Sequence, residues 1–221
     1  MTPLPVQPSL ILSGGFIALS ITVVVLLASA IKSRKLCVSG FVLIALFGII
    51  SATGYLSDFS GTPPRIALFF ILITIGTIIL AFSNVGRKLS DLSINFLIGF
   101  QAFRIPVETL IHRATVEGVA PPQMSWDGMN FDILSGLSAL VLFPFASKLP
   151  RWSIMLWNSI SLGLLLWIVG VAILSFPSSF QQLKPDNIWV AHFPFIWLPT
   201  VAVTSALLMH IVVFRKLLRN K

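Results

Sequence analysis

Long apolar runs, separated by short polar ones, set the pattern of this chain. Seven stretches, at about 10–31, 36–56, 64–83, 92–114, 130–147, 153–175 and 194–214, are apolar over nearly their whole length. A helix crossing the hydrocarbon core of a bilayer takes about 20 such residues. The pattern therefore predicts an all-α, polytopic integral membrane protein with seven transmembrane helices in a single transmembrane domain, 1–221. The stretch at 130–147 is the shortest of them. Punctuation fits the boundaries: Thr62 before Pro63 and Pro64 reads as an N-cap with proline in the first turn. Ser90 and Asp91 read as the start of the fourth helix, and Asn130 as the start of the fifth. The longest polar pieces lie at about 115–129 and 176–193, and neither is long enough for a soluble domain. The opening "MTPLPVQPS" carries no basic residue, so the first run reads as a span rather than a signal peptide.

Composition agrees with lipid as the solvent. The chain is 56% hydrophobic and only 10% charged, whereas a soluble domain carries about 25% charged residues. The placement of the basic residues then orients the helices. Lys32, Arg34, Lys35, Arg87, Lys88, Lys148, Arg151, Arg215, Lys216, Arg219 and Lys221 all fall on one side if the spans alternate. Cytoplasmic loops collect Lys and Arg, which predicts an external N-terminus and a cytoplasmic C-terminus. The net charge of +8 is thereby explained by orientation and by contact with anionic lipid headgroups, and no nucleic acid is needed as a partner. The single cysteine, Cys37, allows neither an internal disulfide nor a cysteine metal cage. Trp189 and Trp197 on one side, and Trp152 and Trp157 on the other, suit interfacial belts.

Candidate chemistry concentrates in "FQAFRIPVETLIHR", residues 100–113. An ionisable group at membrane depth costs roughly 2.5–3.5 kcal/mol on insertion scales, so it faces the bundle interior and finds partners. Arg104, Glu108 and His112 recur every four residues and share one side of a helix, with Gln101 extending the stripe. Pro106 removes a backbone donor from the carbonyl of Ala102 and predicts a kink beside the charges. Two readings follow. Arg104 and Glu108 neutralise one another as architecture, or they line a polar pocket in the outer half of the bundle. In the second reading Arg104 is a bidentate donor to an anionic group. His112, Asn130, Asp132, Tyr55 and His192 are placed by their spans at the same outer level, with Ser51 and Thr53 nearby. Asn130 and Asp132 have a simpler role open to them, as a helix cap and an acid in a first turn. Gly48 and Ala52 suggest close packing of the second helix.

"SDFSGTPPR", "FQAFRIPVE" and "NFDILSGLSA" resemble segments of a group of bacterial multipass membrane proteins. The pairing of FRxPVE with NFDI is the most specific part of that likeness. The resemblance implies a bacterial inner-membrane setting and joins Arg104, Pro106, Glu108, Asn130 and Asp132 into one feature. It implies no activity and no cofactor. His112, His192, Glu108 and Asp132 carry metal-ligating atoms, but no HExxH or HxH spacing ties any two together, so no metal is assigned. A haem would need His112 to face His192, and His210 falls at the opposite membrane face. No helix carries the lysine that a retinal protein requires. Three function classes remain. The first is a transporter-like or sensory protein binding a small ligand, ion or proton, with a membrane protein partner or a second copy for any signalling output. The second is an intramembrane enzyme acting on a lipid or small substrate at the outer leaflet, with Glu108 and Asp132 as acid and base and His112 or a metal activating water. The third is a structural or assembly subunit.

Overall fold

The computed structural model describes residues 2–219, whose regular elements are all helical, with no strand among them. Lys221 of the basic cluster lies outside the described residues. Six helices are long and apolar enough to cross a membrane, as in a multi-pass membrane protein. They are α1 (Leu10–Ala30), α2 (Arg34–Ala52), α3 (Arg65–Phe82), a broken span made of α5 (Ile94–Phe100) and α6 (Arg104–Val116), α8 (Arg151–Leu174), and a last helix. That last one runs from a π-helical turn at Leu198–Val203 into α9 (Thr204–Arg219). A short helix, α4 (Asn84–Asp91), joins α3 to α5.

The stretch expected as a full span at 130–147 is different. Its α-helix, α7, covers only Ile133–Leu142 and is followed by a turn and a 3-10 turn at Ala146–Lys148. Ten residues rise about 15 Å, half of a hydrocarbon core. α7 nevertheless runs antiparallel along the broken span. Asn130 Nδ2 donates to Glu108 near one end, and Asn95 Nδ2 donates to the Phe143 carbonyl at 2.7 Å near the other. Asn95 and Glu108 are about 20 Å apart along a helix. The remaining depth is filled by the loop 117–132, which folds inward. Its backbone satisfies itself through bonds such as Gly128 N–H to Ser125 O and Met129 N–H to Gln123 O. Gln123 Nε2 ties it to Ser175 Oγ and the Pro185 carbonyl, and Trp167 Nε1 donates to the Met129 carbonyl. Irregular backbone at this depth is stable only when buried in protein, and Gln123, Met124, Ser125 and Asn130 are all buried.

Helix starts shift accordingly. Pro64, not Thr62, is the cap of α3, and both prolines precede the helix. Ser93 caps α5 by accepting from Phe96 N–H, while Ser90 and Asp91 belong to α4. Asp132 occupies the cap position of α7, and Asn130 accepts from its N–H.

α9 is the central helix, packed by α3, α4, α5 and α8, while α1 packs on α2 and α6. Trp189 and Trp197 are buried within the protein. Trp189 meets Phe16 and Phe195, and Trp197 Nε1 donates to the Ile44 carbonyl. The glycine of α2 makes room for it, because a Cβ on Gly48 would stand 3.1 Å from the Trp197 ring. Aliphatic side chains such as Ile49, Leu72 and Ile79 form the exposed outer faces of α2 and α3, as expected for helices meeting lipid.

One end of the bundle gathers the N-terminal segment, the loop after α2, and the loops 117–132 and 175–197. Ser9 donates to Glu117 through its N–H and its hydroxyl, and Arg65 pairs with Asp58 at 2.9 Å. The other end gathers basic groups. Arg219 pairs with Asp91, Lys216 donates to the Ser90 carbonyl, and Arg215 donates to the Ala81 carbonyl.

Candidate functional site

The fourth span changes its winding where its charges begin. A 3-10 turn at Gln101–Phe103 separates α5 from α6. Pro106 has no N–H to offer the Ala102 carbonyl four residues earlier, so the α-helical ladder lacks a rung inside that turn. Gln101 is fully buried, and its Nε2 donates to the Ala206 carbonyl of α9 at 3.2 Å. α7 presses against the same place. A Cβ on Gly136 would meet Ile105 N at 3.0 Å and Arg104 Cβ at 3.3 Å, so glycine is what lets the two backbones touch.

That contact brings the FRIPVE and NFDI segments together. Arg104 is 1% exposed. Its Nε donates to Asp132 Oδ2 at 2.7 Å, and Nη2 completes a bidentate pair with Oδ1. Nη1 donates to Ser161 Oγ of α8 at 2.9 Å and approaches His210 Nε2 of α9 at 3.2 Å. A guanidinium can only donate. His210 must therefore accept at Nε2 and carry its proton on Nδ1, which faces Asn158 Oδ1 at 2.8 Å. The amide of Asn158 returns a bond to the His210 carbonyl. Four of the five guanidinium N–H groups are thus directed to partners on three helices.

Glu108, one turn further along α6, does not pair with Arg104. Its Oε2 accepts from Asn130 Nδ2 at 2.6 Å, and the same amide also donates to the Met124 carbonyl. Oε1 has no hydrogen-bonding partner among the described residues, and it is not sealed off. It borders a narrow, half-open cleft with a cavity volume of about 80 Å³. The cleft floor is polar, with Arg104, Glu108, Asn130 and Asp132. Its walls are apolar: Ile66 and Phe70 of α3, Leu165 and Val169 of α8, and Pro199 and Ala202 of the π-helical turn. π-helical turns recur at functional sites because the wider winding re-aims side chains.

Several expected members of the site lie elsewhere. His112 points to the surface, where Nδ1 lies 3.0 Å from Ser125 Oγ and 3.3 Å from Asp127, with its ring stacked on Trp126. Tyr55 is exposed, under the Arg65 guanidinium. His192 is buried away from the cleft, and its Nε2 has no partner among the described residues. Ser51 donates to the Ala191 carbonyl, and Thr53 to that of Ile50. Gln101 packs on α9 without bordering the cleft. The charge expected to bind an anion is also committed, because Asp132 occupies the fork of Arg104. Asn130 and Asp132 lie at the depth of Arg104 and Glu108, not at the level of His112, because the loop before them folds inward.

His210, Ser161 and Asn158 join the network although none was expected there. The last helix is continuous from Leu198 to Arg219 rather than 194–214. This shift moves His210 from the end of a span to the middle of one. His112, His192, Glu108 and Asp132 do not converge, and no group of three or more His, Cys, Asp or Glu among the described residues is arranged to hold a metal ion. No family model, curated protein or solved structure matches the chain, so its functional reading rests on this geometry.

Proposed function

We propose that this is a bacterial inner-membrane protein that binds a small ligand, cation or proton at Glu108 in the cleft between α3, α8 and α9. The observation that carries the reading is the open Glu108 Oε1, beside a network in which each nitrogen of Arg104 and each oxygen of Asp132 has a partner. One guanidinium faces two carboxylates there, so a proton or a positive group at Glu108 balances the site. A buried charge without such balance is costly. Asp132 spends both oxygens on Arg104, which suits it to hold the guanidinium rather than to move a proton.

The same proposal includes seven crossings, with the segment 130–148 as a short one, an external N-terminus and a cytoplasmic C-terminus. The clustering of Arg215, Lys216 and Arg219 with α4, against the carboxylate-bearing loops at the other end, supports it. The likeness of the FRIPVE and NFDI segments to bacterial multipass proteins supports the setting. A cysteine placed at Ser178 should react with a membrane-impermeant thiol reagent in intact cells, and Cys37 should not; the reverse pattern overturns the orientation.

Ligand binding is tested by native mass spectrometry of the protein released from its own membranes. The wild type should carry a bound small molecule, and Ala202→Trp, which fills the cleft, should lose it. A bound mass unaffected by the tryptophan would place the ligand outside the cleft. Absence of any bound mass, together with no effect of Glu108→Gln on proton uptake, would overturn the reading.

A further inference from the structure

We infer that the cleft takes a membrane-borne amphipathic amine, a single apolar chain with a primary ammonium head, which enters sideways from the bilayer and seats its head on Glu108. The inference rests on the cleft reading above and names its ligand class.

The head is selected by what the floor has left to offer. Arg104 directs both arms of its fork to Asp132 and a third N–H to Ser161, so no bidentate donor remains for a carboxylate or phosphate. Asn130 Nδ2 donates to Glu108 and to the Met124 carbonyl, and its Oδ1 already accepts from the Asp132 N–H. One Arg104 Nη2–H is left over as a lone donor, but among the described residues the polar atom bordering the cleft with no hydrogen bond at all is an acceptor, Glu108 Oε1. An anionic head would meet that oxygen and be repelled. An ammonium would donate to it and bring the buried count to two positive and two negative groups. A primary amine has N–H groups to donate, whereas a quaternary one has none.

The tail is selected by the walls. Beyond the floor the lining is apolar, from Ile66, Phe70 and Leu165 to Ala202. The cavity itself is small, about 80 Å³, so it seats the head and the first methylenes while the rest of the chain stays in the gap towards the bilayer. The entrance is selected by packing. α3 and α8 stand on either side of the cleft, and each packs against α9 instead of against the other. Phe70, Val169 and Ile173 at this gap are partly exposed on helix faces that otherwise carry aliphatic residues, and Ile173 is 43% exposed. A ligand dissolved in the bilayer reaches the gap without crossing water.

The test uses the full chain in nanodiscs and saturable binding of tritiated dodecylamine, displaced by unlabelled dodecylamine, dodecanol or dodecanoate. The amine should displace at least tenfold better than the alcohol, and the carboxylate should be weaker still. Glu108→Gln should lower amine affinity at least tenfold and erase its advantage over the alcohol. Ala202→Trp should weaken all chains. If dodecanol or dodecanoate equals or surpasses the amine on wild type and Ala202→Trp still abolishes binding, the amine assignment is overturned while the cleft reading stands. If no chain binds saturably to folded wild type, the lipid-borne ligand is overturned, and native mass spectrometry decides the cleft reading separately. The wild-type ranking decides the head group even where a variant fails to fold.

Discussion

Arg104 and Glu108 sit one helical turn apart on α6, equally buried, yet they belong to different kinds of surroundings. Arg104 is the centre of a closed seam, with Asp132 from α7, Ser161 from α8 and His210 from α9 all turned towards it. Glu108 is the edge of that seam, with one oxygen held by Asn130 and the other open to the cleft. On the proposed function, this difference separates architecture from ligand binding. A charge paired on three helices ties them together, while a carboxylate oxygen with no partner leaves room for a ligand in the proposed reading. The two do not neutralise each other because the inward loop delivers a second carboxylate, Asp132, closer to the guanidinium than Glu108 can come.

The largest effect that would expose this contrast is loss of the guanidinium. Arg104→Met leaves two buried carboxylates and should cost roughly 3–5 kcal/mol, while adding Asp132→Asn should restore most of it. Thermal unfolding in detergent measures both. Equal damage by single and double variants would mean that the seam is not a mutual ion pair. Glu108→Gln should be much milder, within about 1 kcal/mol, because the amide oxygen still accepts from Asn130 and no opposite charge is stranded. A loss as large as that of Arg104→Met would make Glu108 part of the seam and erase the contrast.

The smallest effect concerns Glu117, at the end of the same helix but outside the membrane-spanning segment. Desolvation pushes its carboxyl up, but hydrogen bonds from the Ser9 hydroxyl and N–H and from Arg113 outweigh it and leave the net position below the ordinary value. A depressed folded value means stability that is present above the unfolded pKa of about 4.3 and is lost as pH falls through the folded one. Melting temperature should therefore fall on the acid side of about pH 4 in wild type, and the matching component should vanish in Glu117→Gln. Identical acid slopes would show that the Ser9 clamp adds nothing measurable.

The apolar pattern made α1, α3 and α8 legible almost to the residue, because a helix facing lipid must be apolar along its whole length. It also singled out Arg104, Glu108, Asn130 and Asp132, since an ionisable or amide group in such a setting stands out. The partners of these groups were not legible. Spacing along one helix suggested that Arg104 meets Glu108, yet the closest carboxylate came from a distant segment. His210 was passed over because the last run was placed about four residues too early, which put this histidine at the wrong membrane face. Ser161 and Asn158 carry no charge, so nothing in an apolar run marks them as partners. Tyr55 and His192 were drawn in by their level in the bundle alone, and level says nothing about which way a side chain turns.

What the sequence determined by itself is therefore the solvent and the helices: the hydrophobicity of each run decides whether it can leave water, one residue at a time. Only the tertiary structure decided that the segment before α7 folds into the bundle, that Gly136 lets α7 touch Arg104, and that Asp132 rather than Glu108 receives the guanidinium. Those outcomes depend on distances between segments far apart in the chain. Pairing of buried charges is settled by which groups the packing brings within about 3 Å, and hydrophobic periodicity contains no such distances.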